Sequence, residues 1–290
     1  MGGRALTDAL VHESARLTGP SPVGALRPLR VRWLGRVPYR EALAVQTALF
    51  SRGHDDHLLL LEHQHVFTHG ASADLATNVL VDPASVGAEL VAVNRGGDVT
   101  YHGPGQLVGY PIVTLAPKHG RSATSGLADT KAYVCSVEQL VIDVLAGLGL
   151  ANAGRLDGYP GVWIDPLGES PRKICAIGVR LSRGRTMHGF AINVSTDLRY
   201  LREYLVPCGI ADKAVTSLAE DASTHRWSRS SRSSPVTPRA GGATARSTGP
   251  TSRGSTRPMT SRRSAVVPVR ARRCGAPMPA LARPTVRPSA

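Results

Sequence analysis

The chain has 290 residues and a formal charge of +14, a size that allows one large domain or two small ones. From Ala222 to Ala290 it carries 14 Arg and no Lys, Asp or Glu, so the body before that point is formally neutral and the excess of basic residues says nothing about what the folded part binds. The start Met-Gly has Leu6 where a myristoylation pattern needs Ser or Thr, no apolar stretch reads as a secretory signal, and no run approaches the 18 or so apolar residues of a membrane span.

Residues 1–28 show no sustained period and read as a mobile lead-in with one short helix around Leu6–Leu17. Val31–Leu34 reads as a strand. Pro38-Tyr-Arg-Glu41 opens a helix, with proline near its first turn, that stops at Gly53. His57–His63 and Leu90–Asn94 are short apolar runs of strand length, and Gln106–Val113 is a third. Ala132–Leu148 has Val134, Val137, Val141, Val144, Leu145 and Leu148 at three- and four-residue spacing, ending at Gly147 and Gly149, which predicts a helix packed on a sheet. Cys135 in its first turn reads as structural. Gly161–Asp165 is a short strand, and Lys173–Leu181 and Thr186–Val194 flank Ser182-Arg-Gly-Arg185 as a hairpin. Strands with a few helices and hairpins indicate an α+β domain around a mixed sheet. The expected organisation is a lead-in at 1–28, a catalytic domain at 29–221 and an Arg-rich tail at 222–290. The tail lacks the apolar content to offset ordering entropy and is expected to be disordered. A translation frame change and a lineage-specific extension would both produce it.

The segment from Arg95 to Pro111, RGGDVTYHGPGQLVGYP, carries the most information. Glycines 96, 97, 103 and 105 and Pro104 surround a cation, a phenol and an imidazole. Glycine serves where the backbone needs φ > 0 or must approach another group closely, so this loop can aim its N–H groups at a ligand. It fits neither the P-loop nor the dinucleotide fingerprint. It reads as a substrate loop.

On this block the chain resembles the lipoyl(octanoyl) transferases. Three further segments match in order: Pro160-Gly-Val-Trp163; Lys173-Ile-Cys-Ala-Ile-Gly-Val179 with His188-Gly-Phe-Ala-Ile-Asn193; and Pro207-Cys-Gly-Ile210. The resemblance covers about Leu29 to Leu218. It implies the biotin/lipoate protein ligase fold, related to class II aminoacyl-tRNA synthetase cores, and a substrate site of Arg95, Gly96, Gly97, Asp98, Val99, Thr100, Tyr101 and His102 with Ala176, Ile177, Gly178, Gly189, Phe190 and Ala191.

Among the four cysteines no Cys-x-x-Cys pair occurs, which favours a reduced, cytoplasmic protein. Reactive thiols need exposure and an electropositive neighbour. Cys208 lies between Pro207 and Gly209 in a loop sequence, whereas Cys175 sits inside an apolar strand, where a buried inert thiol is the default. Position alone leaves Cys208 open between a catalytic and a structural role; the resemblance makes it the acyl-thioester nucleophile and makes Lys173 the residue that lowers its pKa, since an adjacent ammonium favours a thiolate. Cys274 lies in the tail. His188 reads as a hydrogen-bonding wall residue, with a role as base the alternative. Gly178 and Gly189 fall in paired strands, where glycine marks a close approach by a ligand or another backbone. His63 and His65 share a strand face if the strand continues; without a Cys or carboxylate partner at metal spacing they are expected at the entrance beside the substrate loop. No metal and no cofactor are expected.

The resemblance implies octanoyl transfer from octanoyl-acyl carrier protein to a lysine of lipoyl domains, in 2-oxoacid dehydrogenases and the glycine-cleavage H protein, through a Cys thioester and without ATP. Alternatives are an ATP-dependent lipoate-protein ligase, a C-terminally damaged inactive homologue, and an Arg-rich protein whose tail holds nucleic acid non-specifically.

Overall fold

The computed structural model describes residues 2–14, 28–52, 55–70, 73–115, 129–206 and 213–224. In chain order the elements are α1 (Gly2–Glu13), β1 (Leu29–Arg36), α2 (Tyr39–Arg52), β2 (Asp56–Glu62), β3 (Val66–His69), α3 (Leu75–Asn78), β4 (Glu89–Ala92), β5 (Thr100–His102), β6 (Gln106–Ile112), α4 (Thr130–Gly147), β7 (Ala153–Leu156), β8 (Tyr159–Ile164), β9 (Arg172–Ser182), β10 (Arg185–Asn193), α5 (Arg199–Arg202), β11 (Ala214–Val215) and α6 (Leu218–Thr224). A 3-10 turn at Pro83–Val86 precedes β4, capped by the Asp82 carboxylate on the Ala84 N–H.

The main sheet runs β1-β2-β6-β10-β9-β8-β7, with β11 added beside β9. The β1–β2 and β9–β11 pairs are parallel and the others antiparallel. A second sheet, β4-β3-β5, carries the start of the Arg95–Pro111 segment. This is the expected α+β architecture with a mixed sheet. The central strands β6 and β10 are buried along their whole length, because both faces are covered. On one face Leu58, Leu60, Leu107, Val162, Ile174, Cys175 and Ile192 pack against Val137, Val141 and Val144 of α4. On the other, Leu59, Leu61, Val108, Tyr110 and Ala191 pack beneath Ala42 of α2.

The Asp129 carboxylate accepts the Ala132 N–H at 3.0 Å and starts α4. The predicted hairpin is β9–β10, and Gly178 and Gly189 are register partners in it. β3, β5 and β7 had no distinct signal; each is three or four residues long, too short for a period to show.

Two expectations about the chain ends are corrected. α1 is not a lead-in standing apart from the core: Leu6 and Leu10 have no exposed surface and join the cluster under α4. The boundary at Asp221 falls inside α6, and Asp221 itself is 1% exposed. Its carboxylate accepts from Arg172 Nη2 at 2.9 Å and from Thr216 Oγ1 at 2.9 Å, so α6 is fastened to β9 and β11. Residues 225–290, including Cys274 and the expected tail disorder, lie outside the described residues.

Candidate functional site

A cavity opens between the Arg95–Pro111 segment and the β9–β10 pair. It is lined by Tyr39, Arg95, Gly96, Gly97, Asp98, Thr100, His102, Tyr110, Ala176, Ile177, Gly178, His188, Gly189, Phe190 and Ala191. Twelve residues of the expected substrate site thus meet around one hollow, from two stretches some eighty positions apart. Val99 and Tyr101 do not. Both are fully buried in a small core beneath the loop, with Phe67, Leu201 and Leu205. On β5 successive side chains point to opposite faces, so Thr100 and His102 face the cavity while Tyr101 turns the other way. Its ring stacks on Tyr200 with centroids 4.5 Å apart, and its hydroxyl is hydrogen-bonded with His65 Nδ1 at 2.8 Å.

The loop is held by its own polar groups. Arg95 Nη2 donates to the Thr68 carbonyl at 2.7 Å and to Thr68 Oγ1 at 3.0 Å. The Asp98 carboxylate accepts from Asn78 Nδ2 at 2.7 Å and from the Val99 N–H at 2.6 Å. Gly96 N–H donates to the Val179 carbonyl at 3.2 Å, which docks the loop on β9. The two paired glycines are needed for backbone approach. A Cβ on Gly189 would stand 2.1 Å from the Gly109 carbonyl oxygen, and one on Gly178 would stand 3.1 Å from Arg95 Cδ and 3.3 Å from the Gly96 oxygen.

Tyr39, Tyr110 and His102 in the cavity wall form one aromatic group with His63. His63 Nδ1 donates to the Val37 carbonyl at 2.8 Å, so its Nε2 accepts from the Tyr110 hydroxyl at 2.7 Å. Burial holds His63 neutral, with its pKa down to about 4, and raises Tyr39 to about 12 against the pull of Arg95. The expectation that His63 and His65 share a face at the entrance is overturned. β2 ends at Glu62 and β3 begins at Val66, and the break sends His63 to the cavity group and His65 onto Tyr200, 4.6 Å between centroids. Among the described residues no cluster of three His, Cys, Asp or Glu side chains is placed to hold a metal.

His102 begins a buried polar chain. Its Nδ1–H donates to Gln106 Oε1 at 2.7 Å; Gln106 Nε2 donates to Asn193 Oδ1 at 3.0 Å; Asn193 Nδ2 donates to the Thr216 carbonyl at 2.9 Å; and the Thr216 N–H donates to the Lys173 carbonyl at 2.9 Å. Burial, with His63 nearby, lowers the His102 pKa to about 3, so the ring is neutral.

Lys173 is 7% exposed, and its Nζ lies 4.8 Å from the Trp163 ring centroid. Val162 pairs with Cys175 but Trp163 pairs with Lys173, so Ile174 is an extra residue in β9. Such a bulge reverses the alternation. Ile174 and Cys175 both face α4, and Lys173 turns to the Trp163 side, the side of Ala176 and Gly178. Cys175 is buried, as expected: it has no exposed surface, its thiol faces the Ala176 carbonyl at 3.5 Å, and burial pushes its pKa far up. Cys208, with Pro207, Gly209 and Ile210, lies outside the described residues.

Tyr39, Tyr110 and Trp163 were missed as site residues. Tyr110 and Trp163 stood inside the matched segments; Tyr39 carried no signal beyond its place after the proline that opens α2.

A profile of the family described as lipoyl protein ligase A/B catalytic domain matches residues 38–227. The octanoyltransferase of Solibacter usitatus is 48% identical over 200 residues, 67% of this chain and 84% of that relative. The octanoyltransferase of Bacteroides thetaiotaomicron is 42% identical over 207 residues, 68% of this chain and 86% of that relative. Among solved structures, the bi-partite lipoate protein ligase of Thermoplasma acidophilum superposes with a TM-score of 0.51 at 21% identity, covering 67% of this chain and 75% of that one. A putative lipoate protein ligase of the same organism with bound lipoic acid gives a TM-score of 0.52 at 20% identity, covering 66% and 76%. At that identity the structures speak for the fold alone, which is the lipoate-protein ligase fold. The sequence relatives go further: the chain belongs to the lipoyl protein ligase A/B catalytic-domain family and, within it, to the octanoyltransferases, acyltransferases of protein lipoylation.

Proposed function

We propose that the protein moves an octanoyl group from octanoyl-acyl carrier protein to a lysine of lipoyl domains through a thioester on Cys208. The observation that carries this reading is the placement of Lys173. Its ammonium group lies over Trp163 at one end of β9, on the same side as the cavity-lining Ala176 and Gly178. The described residues on either side of the Cys208 segment make contacts that support the reading. Upstream, Val206 N–H donates to the Asn78 carbonyl at 2.9 Å, and Asn78 holds Asp98 of the substrate loop. Downstream, Lys213 stands over the Tyr159 ring and leads into β11, where Val215 pairs with Lys173.

In the first half-reaction the Cys208 thiolate attacks the donor thioester carbonyl. A new S–C bond forms, the carrier's C–S bond breaks, and the carrier leaves as a thiolate that takes up a proton. In the second, the target lysine amine attacks the acyl-Cys208 carbonyl, a C–N bond forms, the C–S bond to Cys208 breaks, and the amine gives up a proton. One thioester and one amine become one amide and one thiol, so no ATP is consumed. The Lys173 ammonium supports the thiolate before attack and as leaving group. The partners are the carrier protein and lipoyl domains, including the glycine-cleavage H protein, in a reducing cytoplasm.

Intact-mass spectrometry after incubation with octanoyl-carrier protein, without ATP, tests this. One octanoyl adduct, removable by hydroxylamine, is expected on the wild type and on Cys175→Ala and is lost in Cys208→Ala. An adduct that survives Cys208→Ala, or product formation that depends on ATP, removes the reading.

A further inference from the structure

The tautomer of His102 is dictated by two backbone carbonyls, those of Tyr101 and Thr216. Gln106 Nε2 donates to the Tyr101 carbonyl at 3.2 Å as well as to Asn193 Oδ1 at 3.0 Å. A carbonyl oxygen only accepts, so that end of the Gln106 amide is the nitrogen. The other end, Oε1, therefore faces His102 Nδ1 at 2.7 Å as an acceptor. The Asn193 amide is oriented in the same way, because its Nδ2 meets the Thr216 carbonyl at 2.9 Å. Turning either amide over would set oxygen against oxygen. The proton of the neutral His102 ring thus sits on Nδ1, and Nε2 keeps a bare lone pair.

His102 lines the cavity, and its ring is stacked on Tyr39 with centroids 6.0 Å apart. Its Nε2 takes no hydrogen bond from a described residue. Burial, with His63, Arg95 and His188 around it, keeps the ring from charging. His188, the other imidazole in the cavity wall, is held differently. Gln46 Oε1 accepts its backbone N–H at 3.0 Å, at a φ of 60°, and its Nδ1 has no partner among the described residues. The His102 chain is also placed by register. Asn193 pairs with Gln106, and its neighbour Ile192 pairs with Cys175. The chain therefore crosses β6 and β10 at the end of β9 that carries Lys173, and it ends on the Lys173 carbonyl through the Thr216 N–H.

We propose that Gln106 and Asn193 are positioning residues that hold His102 as the acceptor for an N–H of the attacking amine in the second half-reaction. A bare lone pair gives no help to a carbonyl oxygen that is gaining negative charge, whereas an amine is a donor. One N–H held on Nε2 leaves the lone pair of the amine free to reach the acyl carbonyl. The ring orients the amine and does not keep its proton. As the C–N bond forms and the C–S bond to Cys208 breaks, that proton passes to the departing thiolate. This inference rests on the acyl-transfer reading for the identity of the amine.

Nitrogen NMR of the full-length protein, labelled in its histidines, reads the tautomer directly, with His102 identified by the signal lost in His102→Gln. Near neutral pH His102 should show a protonated Nδ1 and a bare Nε2, and Gln106→Leu should turn it into a mixture. A wild-type ring protonated on Nε2 overturns the proposal, and this spectrum decides alone if Gln106→Leu does not fold. Two substitutions then separate the acceptor from the chain. His102→Asn sets an amide nitrogen at the place of Nδ1 and keeps the bond to Gln106 but has nothing at Nε2. His102→Gln reaches the place of Nε2 and gives up that bond. With octanoyl-carrier protein as donor and an unmodified lipoyl domain as acceptor, His102→Asn should slow transfer from the preformed acyl-enzyme about tenfold or more. Acyl-enzyme formation should change far less, and His102→Gln should recover part of the loss. Full-rate transfer in His102→Asn, or equal losses in both half-reactions, overturns the proposal. Absence of any adduct on wild type strikes the transfer reading instead, and the nitrogen spectrum still tells whether Gln106 and Asn193 set the tautomer.

Discussion

The Lys173 ammonium nitrogen stands 4.8 Å from the centre of the Trp163 ring, on the face of the sheet turned away from α4. Val162 and Ile164 pack under α4 and Trp163 lies between them on the opposite face. The extra residue Ile174 brings Lys173 to that face too. Without the bulge Lys173 would share the α4 side with Cys175, inside an apolar core where an ammonium is costly. The aromatic face offsets part of the desolvation through a cation–π contact.

If Lys173 supports the Cys208 thiolate, Lys173→Met should move the iodoacetamide reactivity of Cys208 to higher pH. Each unit corresponds to about 1.4 kcal/mol of differential stabilisation. Trp163→Leu, which frees the ammonium without removing it, should shift the profile less than Lys173→Met. A profile unchanged in Lys173→Met would separate the lysine from the thiol.

The paired glycines should differ sharply in tolerance. Gly189→Ala sets a Cβ 2.1 Å from the Gly109 oxygen and 2.6 Å from Pro111 Cδ, atoms that β6 cannot move. It should cost about 3 kcal/mol or more, the upper end for overpacking. Gly178→Ala meets the flexible Arg95 side chain at 3.1 Å and should cost about 1 kcal/mol. Urea unfolding of the two variants gives the comparison; equal losses would mean that the β6 contact is not what requires Gly189.

Stability should rise with pH between about 4 and 6.5. His63, His102 and His188 have folded pKa values of about 4, 3 and 4, below the usual 6.5. Below 6.5 the unfolded chain binds protons that the folded chain refuses, so acid favours unfolding, at most about 1.4 kcal/mol per pH unit for each histidine. Well above 6.5, from about pH 7.5 upward, all three are neutral in both states and contribute almost no slope. Chemical denaturation at pH 7.5, 6 and 5 should show a loss only in the acid steps, and a flat series would mean that these rings accept protons in place.

Asp221→Ala removes the carboxylate shared by Arg172 and Thr216. Breaking a buried ion pair costs about 3 kcal/mol, roughly 6–12 °C in melting temperature for a body of this size. A chain ending after Thr224 keeps that pair. It should match the full chain in melting temperature and acyl-enzyme formation while losing any retention on heparin. A truncated chain that melts like Asp221→Ala would show that residues after Thr224 support the core.

The elements with long periodic stretches were legible in the sequence. The stripe Val137, Val141, Val144 marks α4, Pro38 marks the opening of α2, and the turn at Ser182–Arg185 marks the β9–β10 hairpin, because each pattern arises from neighbours along the chain. The glycines around Arg95 identified the loop, and the matched segments identified most of the residues that line the cavity. Tertiary structure alone decided the rest. It put Tyr101 under the loop rather than in the cavity, because alternation on β5 gives Thr100 and His102 to one face and Tyr101 to the other. It sent His63 and His65 apart, because the strand stops at Glu62. It turned Lys173 away from Cys175 through one inserted residue, and it held His188 at a positive φ through Gln46, 142 positions away. A bulge and a strand end are settled by competition among partners distant in sequence, and no local pattern of residues records which partner wins.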